Sequence, residues 1–518
     1  MDRWIYWQNH TFGSDRKYRG LYICNGYWND GINVYSIGVL KMLSLTLLSI
    51  PLIASILLLF SRGAMSRNLA LVFTLVQFGF TVFAYTVFKA EGAGPFDYLQ
   101  NWSAKPLINV HLSMDGMSML MVLLTNLLLP LIVLSGYNRE TNRMHVFYSL
   151  MLFMQFALNG VFISFDGFIY YIFWELALIP IYFIAFNWGG EDRAKVTLKF
   201  FIYTLAGSLL MLFGFLFLYN GSPANSLDWA SLVANPACSC NQSWLFWLFF
   251  IAFAIKIPII PFHTWQPDTY HSAPTQGTML LSGIMLKMGT YSLIRWLLPV
   301  LPAGVAEWQP WVIALSVAGV VYASIIAIMQ RDMKRLLAYS SIAHVGLISA
   351  GVFALNMSGL QGSLVQMVSH GLTVVGLFFC ADIVFNRTQH EEVEGLGGIR
   401  LLAPSFAAWF LIIVLGSIAL PLTSGFVGEF MLLFGVYEYN TWLGAFAGLT
   451  IILGAVYMLR MYQKVVLGKA VKENMVFPDL MWNEKVVLVS IGLLIFALGI
   501  FPNPIIELTE PVLKTIIK

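Results

Sequence analysis

Six ionisable residues stand at or near the middle of apolar runs: Glu175 in YYIFWELALIP, Lys256 in FAIKIPII, Lys287 in GIMLKMGTY, His344 in SSIAHVGLI, His370 in QMVSHGLTV and Glu429 in GFVGEFMLL. A charge at the centre of a membrane helix costs about 2.5 to 3.5 kcal/mol on the insertion scale, so the six must find partners or water inside a bundle. Taken singly, a buried lysine can lock two helices through an ion pair, and a membrane histidine can satisfy a neighbouring carbonyl. An acid, two lysines, two histidines and a second acid are more than locking requires. The series fits a proton relay, whose neighbours exchange protons without large gaps in energy. A carboxylate about 4 Å from a lysine is worth about 4 kcal/mol at an effective dielectric of 20, so approach or withdrawal of Glu175 would switch Lys256 between holding and releasing its proton.

The helix that must carry Lys256 is interrupted. LFWLFFIAFAIKIPIIPFHTWQPDTYHSAPT, from Leu245 to Thr275, sets Pro258, Pro261 and Pro267 inside or just after a hydrophobic span. Proline removes a backbone donor and displaces the carbonyl four residues back. In lipid the freed groups are tolerated only where they face protein or a water-filled cavity, which is how an ion path is built beside a protonatable side chain. A second interruption is expected at Pro421, with Gly425 and Gly428 close by. Asp115, Asp166, Arg295, Asp382 and Glu438 fall toward span ends, where capping or snorkelling accounts for them, and Lys199 lies near the start of its span. His263, Asp268 and His271 have ligand chemistry but no close histidine spacing, so no metal site is expected. Cys24, Cys238, Cys240 and Cys380 lack zinc or redox spacing and read as free thiols.

Around these residues the chain is membrane material. Its 518 residues are 58% hydrophobic and 11% charged, with mean hydropathy +0.76, which excludes a water-soluble globule. The net charge of +3 forms no nucleic-acid patch. Apolar runs of about 20 residues predict fourteen helices. The spans fall near 42–61, 69–89, 114–136, 145–164, 166–187, 195–219, 244–272, 275–299, 309–328, 335–355, 359–384, 400–437, 440–460 and 485–506. Loops after odd-numbered spans carry sixteen lysines and arginines, from Arg62 and Arg67 to Lys472 and Lys485, against Lys89 and Lys105 after even-numbered ones. By the positive-inside rule both termini lie outside. Residues 1–41, polar and basic on the disfavoured side, read as an extension or an over-called start, with translation expected from Met42. The interrupted spans, seventh and twelfth, are five apart, as paired discontinuous helices are in inverted repeats. The expected units are helices 1–3 over 42–144, one five-helix repeat over 145–299, its inverted partner over 300–467, and the last helix with a tail over 468–518.

KIPIIPFHTWQPDTYHSAPT, LLSGIMLKMGTYSLIRW, RDMKRLLAYSSIAHVG and LPLTSGFVGEF together resemble the antiporter-like subunits of respiratory complex I, over about 42–506. The resemblance implies an all-α polytopic fold with two inverted five-helix repeats, and a proton-translocating subunit of a bacterial NADH:quinone oxidoreductase. Glu175 and Lys256 would be its coupling pair, Lys287, His344 and His370 its central relay, and Glu429 its far-side exit. Glu429 also marks the branch, since the sister subunits L and N and the cation/proton antiporters usually carry lysine there. Neighbouring membrane-arm subunits, L and N among them, would be partners in the inner membrane, along with lipid and protons. NADH, FMN, iron-sulfur clusters and quinone would belong to other subunits, this chain having no cofactor or redox centre of its own. The rival reading is a subunit of a multi-component sodium/proton antiporter or membrane-bound hydrogenase. The tract departs from the commoner HTWLPDAH pattern at Gln266 and Tyr270.

Overall fold

The computed structural model describes residues 42–104, 107–222, 225–468 and 476–517. The expected leading segment 1–41, and Lys105, Lys469 and Lys472 of the charge count, lie outside the described residues. The chain is a multi-pass helical membrane protein: among the described residues, ten helices are long and apolar enough to cross a bilayer. In order they and their neighbours are α1 (Leu43–Leu59), α2 (Ala64–Glu91), a hairpin of β1 (Tyr98–Ala104) and β2 (Leu107–Leu112), α3 (Gly116–Ser135), α4 (Met144–Ile163), α5 (Gly167–Trp188) and α6 (Arg193–Gly221). The seventh expected span is split into α7 (Ser239–Lys256) and α8 (Trp265–Ser272), followed by α9 over 275–300. Then come α10 (Pro302–Met329), α11 (Met333–Phe353), α12 (Met357–Thr388), the split pair α13 (Pro404–Ser417) and α14 (Ser424–Tyr439), α15 (Thr441–Val466), α16 (Trp482–Ile500) and α17 (Asn503–Ile516).

Solvation sorts these helices. On α2 and α6, Leu75, Val76, Phe83, Leu209 and Phe213 point outward, as lipid-facing residues do, whereas nearly every residue of α11 and α12 is enclosed. Polar side chains on those two helices therefore face protein, and that is where both membrane histidines sit. The antiparallel hairpin is an addition to the expected all-α fold; YLQNWSA and LINVHL are too short and too polar to register as spans. The expected tail is in fact the amphipathic helix α17, which packs on α3 and α12.

Both interruptions occur where proline predicts them. α7 ends at Lys256, and the backbone runs without helix from Ile257 to Thr264. The indole of Trp265 donates to the freed carbonyl of Ile255 at 2.9 Å, so the break is satisfied by protein. Between α13 and α14 the chain passes through Ala419 (φ 57°) and Leu422 (φ 76°), left-handed conformations that non-glycine residues adopt only where the surroundings impose them.

Candidate functional site

The site is built where α9, α11, α12 and α14 meet. α9 departs from regular helix at two π-turns, Leu281–Met285 and Leu293–Leu297, on either side of the segment that carries Lys287. Such turns recur at functional positions because they free carbonyls from the ordinary ladder. Lys287 Nζ donates to the carbonyl of Ser282 at 2.7 Å and lies 2.8 Å from His370 Nδ1. α9 and α12 come this close because Gly371, next to His370, lies against the Gly283 carbonyl; a Cβ there would stand 3.0 Å from that oxygen.

From His370 the polar chain continues. Its ring centroid is 5.9 Å from that of His344 on α11. His344 Nδ1 is 2.8 Å from Glu429 Oε1 on α14, at an angle outside hydrogen-bond geometry. Gln366, one helical turn before His370, donates to the same oxygen at 3.2 Å. Gly428 permits this approach: a Cβ there would lie 2.9 Å from the Gln366 Cα. Lys287, His370, His344 and Glu429 are all buried, so the structure assembles four of the six expected residues into one enclosed series.

The other two sit apart from that series. Glu175 and Lys256 are within electrostatic reach but not in contact, and neither Glu175 Oε1 nor Lys256 Nζ has a hydrogen-bond partner. In this arrangement the Trp174 ring lies 5.2 Å from the ammonium and Glu175 has Ser208 of α6 beside it, so the two charges expected to act as a switch are held apart. Lys256 is the last residue of α7, where the partial negative charge of the helix end favours a cation.

Several expected end-of-span residues have other tasks. Asp115 and Asp166 are helix caps as expected, accepting from Ser118 N and from Phe168 N and Ile169 N. Arg295 and Asp382 do not snorkel. Arg295, 1% exposed, pairs with Asp115 beneath the rings of Phe165 and Trp229. Asp382 is a buried hub that takes Arg139 and, at 2.5 Å, the Thr275 hydroxyl. Lys199 bonds to Asp268 at 3.0 Å. His263, Asp268 and His271 do not converge; among the described residues the side chains that cluster with ligand chemistry are instead His271 at the end of α8, Asp332 at the start of α11 and Glu391, all part-exposed and away from the buried series. Cys238, Cys240 and Cys380 are free. Sequence reading missed Gln366 and Trp174, although Gln366 at i−4 from His370 shares its helix face and Trp174 precedes Glu175. It also missed the Ser282 carbonyl, for which a π-turn gives no sequence signal.

The family model for NADH:quinone oxidoreductase/Mrp antiporter transmembrane proteins matches residues 164–455, which include all six residues. NADH-quinone oxidoreductase subunit M of Rickettsia conorii (strain ATCC VR-613 / Malish 7) is 38% identical over 427 residues, 82% of this chain and 87% of that protein. The subunit M of Rhodobacter capsulatus is 35% identical over 481 residues, covering 88% and 93%. Among solved structures, a chain of respiratory complex I from Thermus thermophilus with bound NADH superposes with TM-score 0.85 at 28% identity, covering 92% of this chain and 99% of that one. This chain belongs to the NADH:quinone oxidoreductase/Mrp antiporter transmembrane family and groups there with the subunit M proteins.

Proposed function

We propose that the chain is the proton-translocating subunit of the membrane arm of an NADH:quinone oxidoreductase, passing protons along Lys287, His370, His344 and Glu429 under the control of Glu175 and Lys256. The observation that carries this reading is the enclosed series itself, with contacts of 2.8 Å at either end and a histidine pair between. Each member can both take and give a proton, and burial among apolar helices keeps the path from leaking. Lys256, at the end of a broken helix, is placed to respond to movement of Glu175 or of the break. Charge rearrangement from a neighbouring subunit would act there.

On this reading α7/α8 and α13/α14 are the corresponding broken helices of two inverted five-helix repeats, 145–299 and 300–467, within fourteen spans. Both termini face outward from a bacterial inner membrane, an orientation that side-selective labelling of a cysteine at Lys464 tests. L-type and N-type subunits are the neighbours. NADH, FMN, iron-sulfur clusters and quinone act in partner subunits, and this chain contributes the translocase step without carrying electrons.

The test is Glu429→Gln, which keeps shape and hydrogen bonding but removes the titratable group. The complex should assemble with pumping strongly reduced, and Glu429→Asp should retain part of it. Normal pumping by assembled Glu429→Gln complex would remove the terminal acid from the relay.

A further inference from the structure

Beyond the break, α8 turns two polar side chains inward rather than toward lipid. Gln266 and Tyr270 are both fully enclosed, at 0% exposure. Gln266 Nε2 reaches Ser341 Oγ on α11 at 3.4 Å. The Tyr270 hydroxyl lies against the Gln266 carboxamide, yet neither that hydroxyl nor Gln266 Oε1 completes a hydrogen bond to protein. Unpaired, each such atom costs about 1 to 3 kcal/mol, so two side by side in an apolar helix bundle call for a partner. Water bridges sites of this kind, which need two to four converging polar atoms; here Gln266 Oε1, Tyr270 OH and Ser341 Oγ converge.

Their place in the fold gives them a task. α8 ends at the rim, where His271 Nδ1 faces Asp332 Oδ1 at 3.3 Å and also borders a cleft of about 650 Å³ lined by Asp268, Arg335, His390 and Glu391. At 1.5 Å rise per residue, Gln266 lies about 7.5 Å inward from His271, and Ser341 about 13.5 Å inward from Asp332 and about 4.5 Å short of His344. The polar cluster therefore stands between the rim cleft and the histidine pair. We propose that Gln266, Tyr270 and Ser341 hold ordered water and form the intake by which protons from the rim reach His344. A proton arriving from the rim adds to the held water, which passes another onward. His344 gains one proton, the rim loses one, and the three side chains keep their own. This rests on the relay reading and adds an access branch to it, separate from Lys256 and Lys287.

The test uses the whole complex in membranes, with Gln266→Leu and Tyr270→Phe combined, a change that removes the polar atoms while conserving volume. The complex should assemble, and pumping with coupled quinone reduction should fall about tenfold, equivalent to about 1.4 kcal/mol of barrier. The ratio of rates in H₂O and D₂O should rise as proton intake becomes limiting. High-resolution cryo-electron microscopy of the native complex should show water within bonding distance of Gln266 Oε1 and the Tyr270 hydroxyl. A dry site, or native rates and isotope ratio in the double variant, overturns the inference. If the double variant does not assemble, Tyr270→Phe alone carries the test with the same outcomes. Lys287→Arg separates the two levels: if it stops pumping while the double variant pumps normally, only the intake is wrong; if both pump normally, the relay reading falls with it.

Discussion

Replacing Lys287 by arginine tests the central transfer. Lys287 Nζ donates to Ser282 O at 2.7 Å, which leaves His370 Nδ1, 2.8 Å away, as acceptor while the lysine is charged. Moving the proton across reverses the second bond without breaking the first, since a neutral amine still has hydrogens for the Ser282 carbonyl and a lone pair for the imidazolium. Transfer therefore sacrifices no hydrogen bond. Two positive charges 2.8 Å apart would repel by about 6 kcal/mol at an effective dielectric of 20, a factor of roughly 10⁴ against double protonation. The contact thus holds one proton at a time. Arginine keeps the charge and does not release it, so it would hold His370 neutral by that same margin and block the series. The expected result is assembled complex, verified by co-purification of its subunits, with NADH-driven acidification of proteoliposomes lost in both Lys287→Arg and Lys287→Met. If Lys287 were a static counter-charge, arginine would preserve pumping and methionine would not. Native pumping by Lys287→Arg would refute the one-proton argument.

Lys256 takes the same logic at a different place. Its ammonium faces the Trp174 ring and no polar partner, so Lys256→Arg and Lys256→Ala should both assemble and both lose pumping, with quinone reduction slowed because coupling is reciprocal; an arginine variant that pumps like the native protein would make the residue a fixed charge. Arg295→Met breaks the buried pair with Asp115. Asp115 keeps some solvent access and its bond to Ser118 N, so the cost should be about 3 kcal/mol, the low end for such a pair, read as a lower midpoint for heat-induced loss of the subunit from the complex; an unchanged midpoint counts against this. At the hairpin, burial lowers the pKa of His111 but hydrogen bonds to Asp228 and Asp97 outweigh it and raise the value. A raised folded pKa means that the stabilisation is complete below the unfolded value of about 6.5 and is lost as pH climbs through the folded one. Amide exchange over 98–104 and 107–112, corrected for its intrinsic pH dependence, should therefore speed up toward alkaline pH in the native protein and lose that dependence in His111→Gln; equal pH dependence in the two would assign it elsewhere.

Much of this was legible in the chain because the membrane imposes strong local rules. Apolar runs of span length and prolines inside hydrophobic stretches each report a local cost that lipid makes severe, so a multi-pass helical chain with two breaks could be expected without tertiary information. The six ionisable residues could be found for the same reason: an ion among apolar neighbours is conspicuous. The hairpin and α17 escaped notice, being short segments, the first polar and the second amphipathic, with no long apolar run to announce them.

Which of the six meet was a different matter. Lys287 and His370 are 83 residues apart in sequence, and their 2.8 Å contact depends on α9 and α12 closing at Gly283 and Gly371. The order Lys287, His370, His344, Glu429 is set by how four helices pack. Which of two adjacent residues on α5 faces Lys256 is likewise a matter of packing: it is the Trp174 ring that lies 5.2 Å from the ammonium. Arg295 and Asp382 looked like end-of-span residues because a sequence records depth along a helix but not which way a side chain points. Residue type and spacing determined that charge would be buried in this protein; helix packing alone decided which of those groups come within bonding reach of one another, because ångström distances between segments far apart in the chain are set only when it folds.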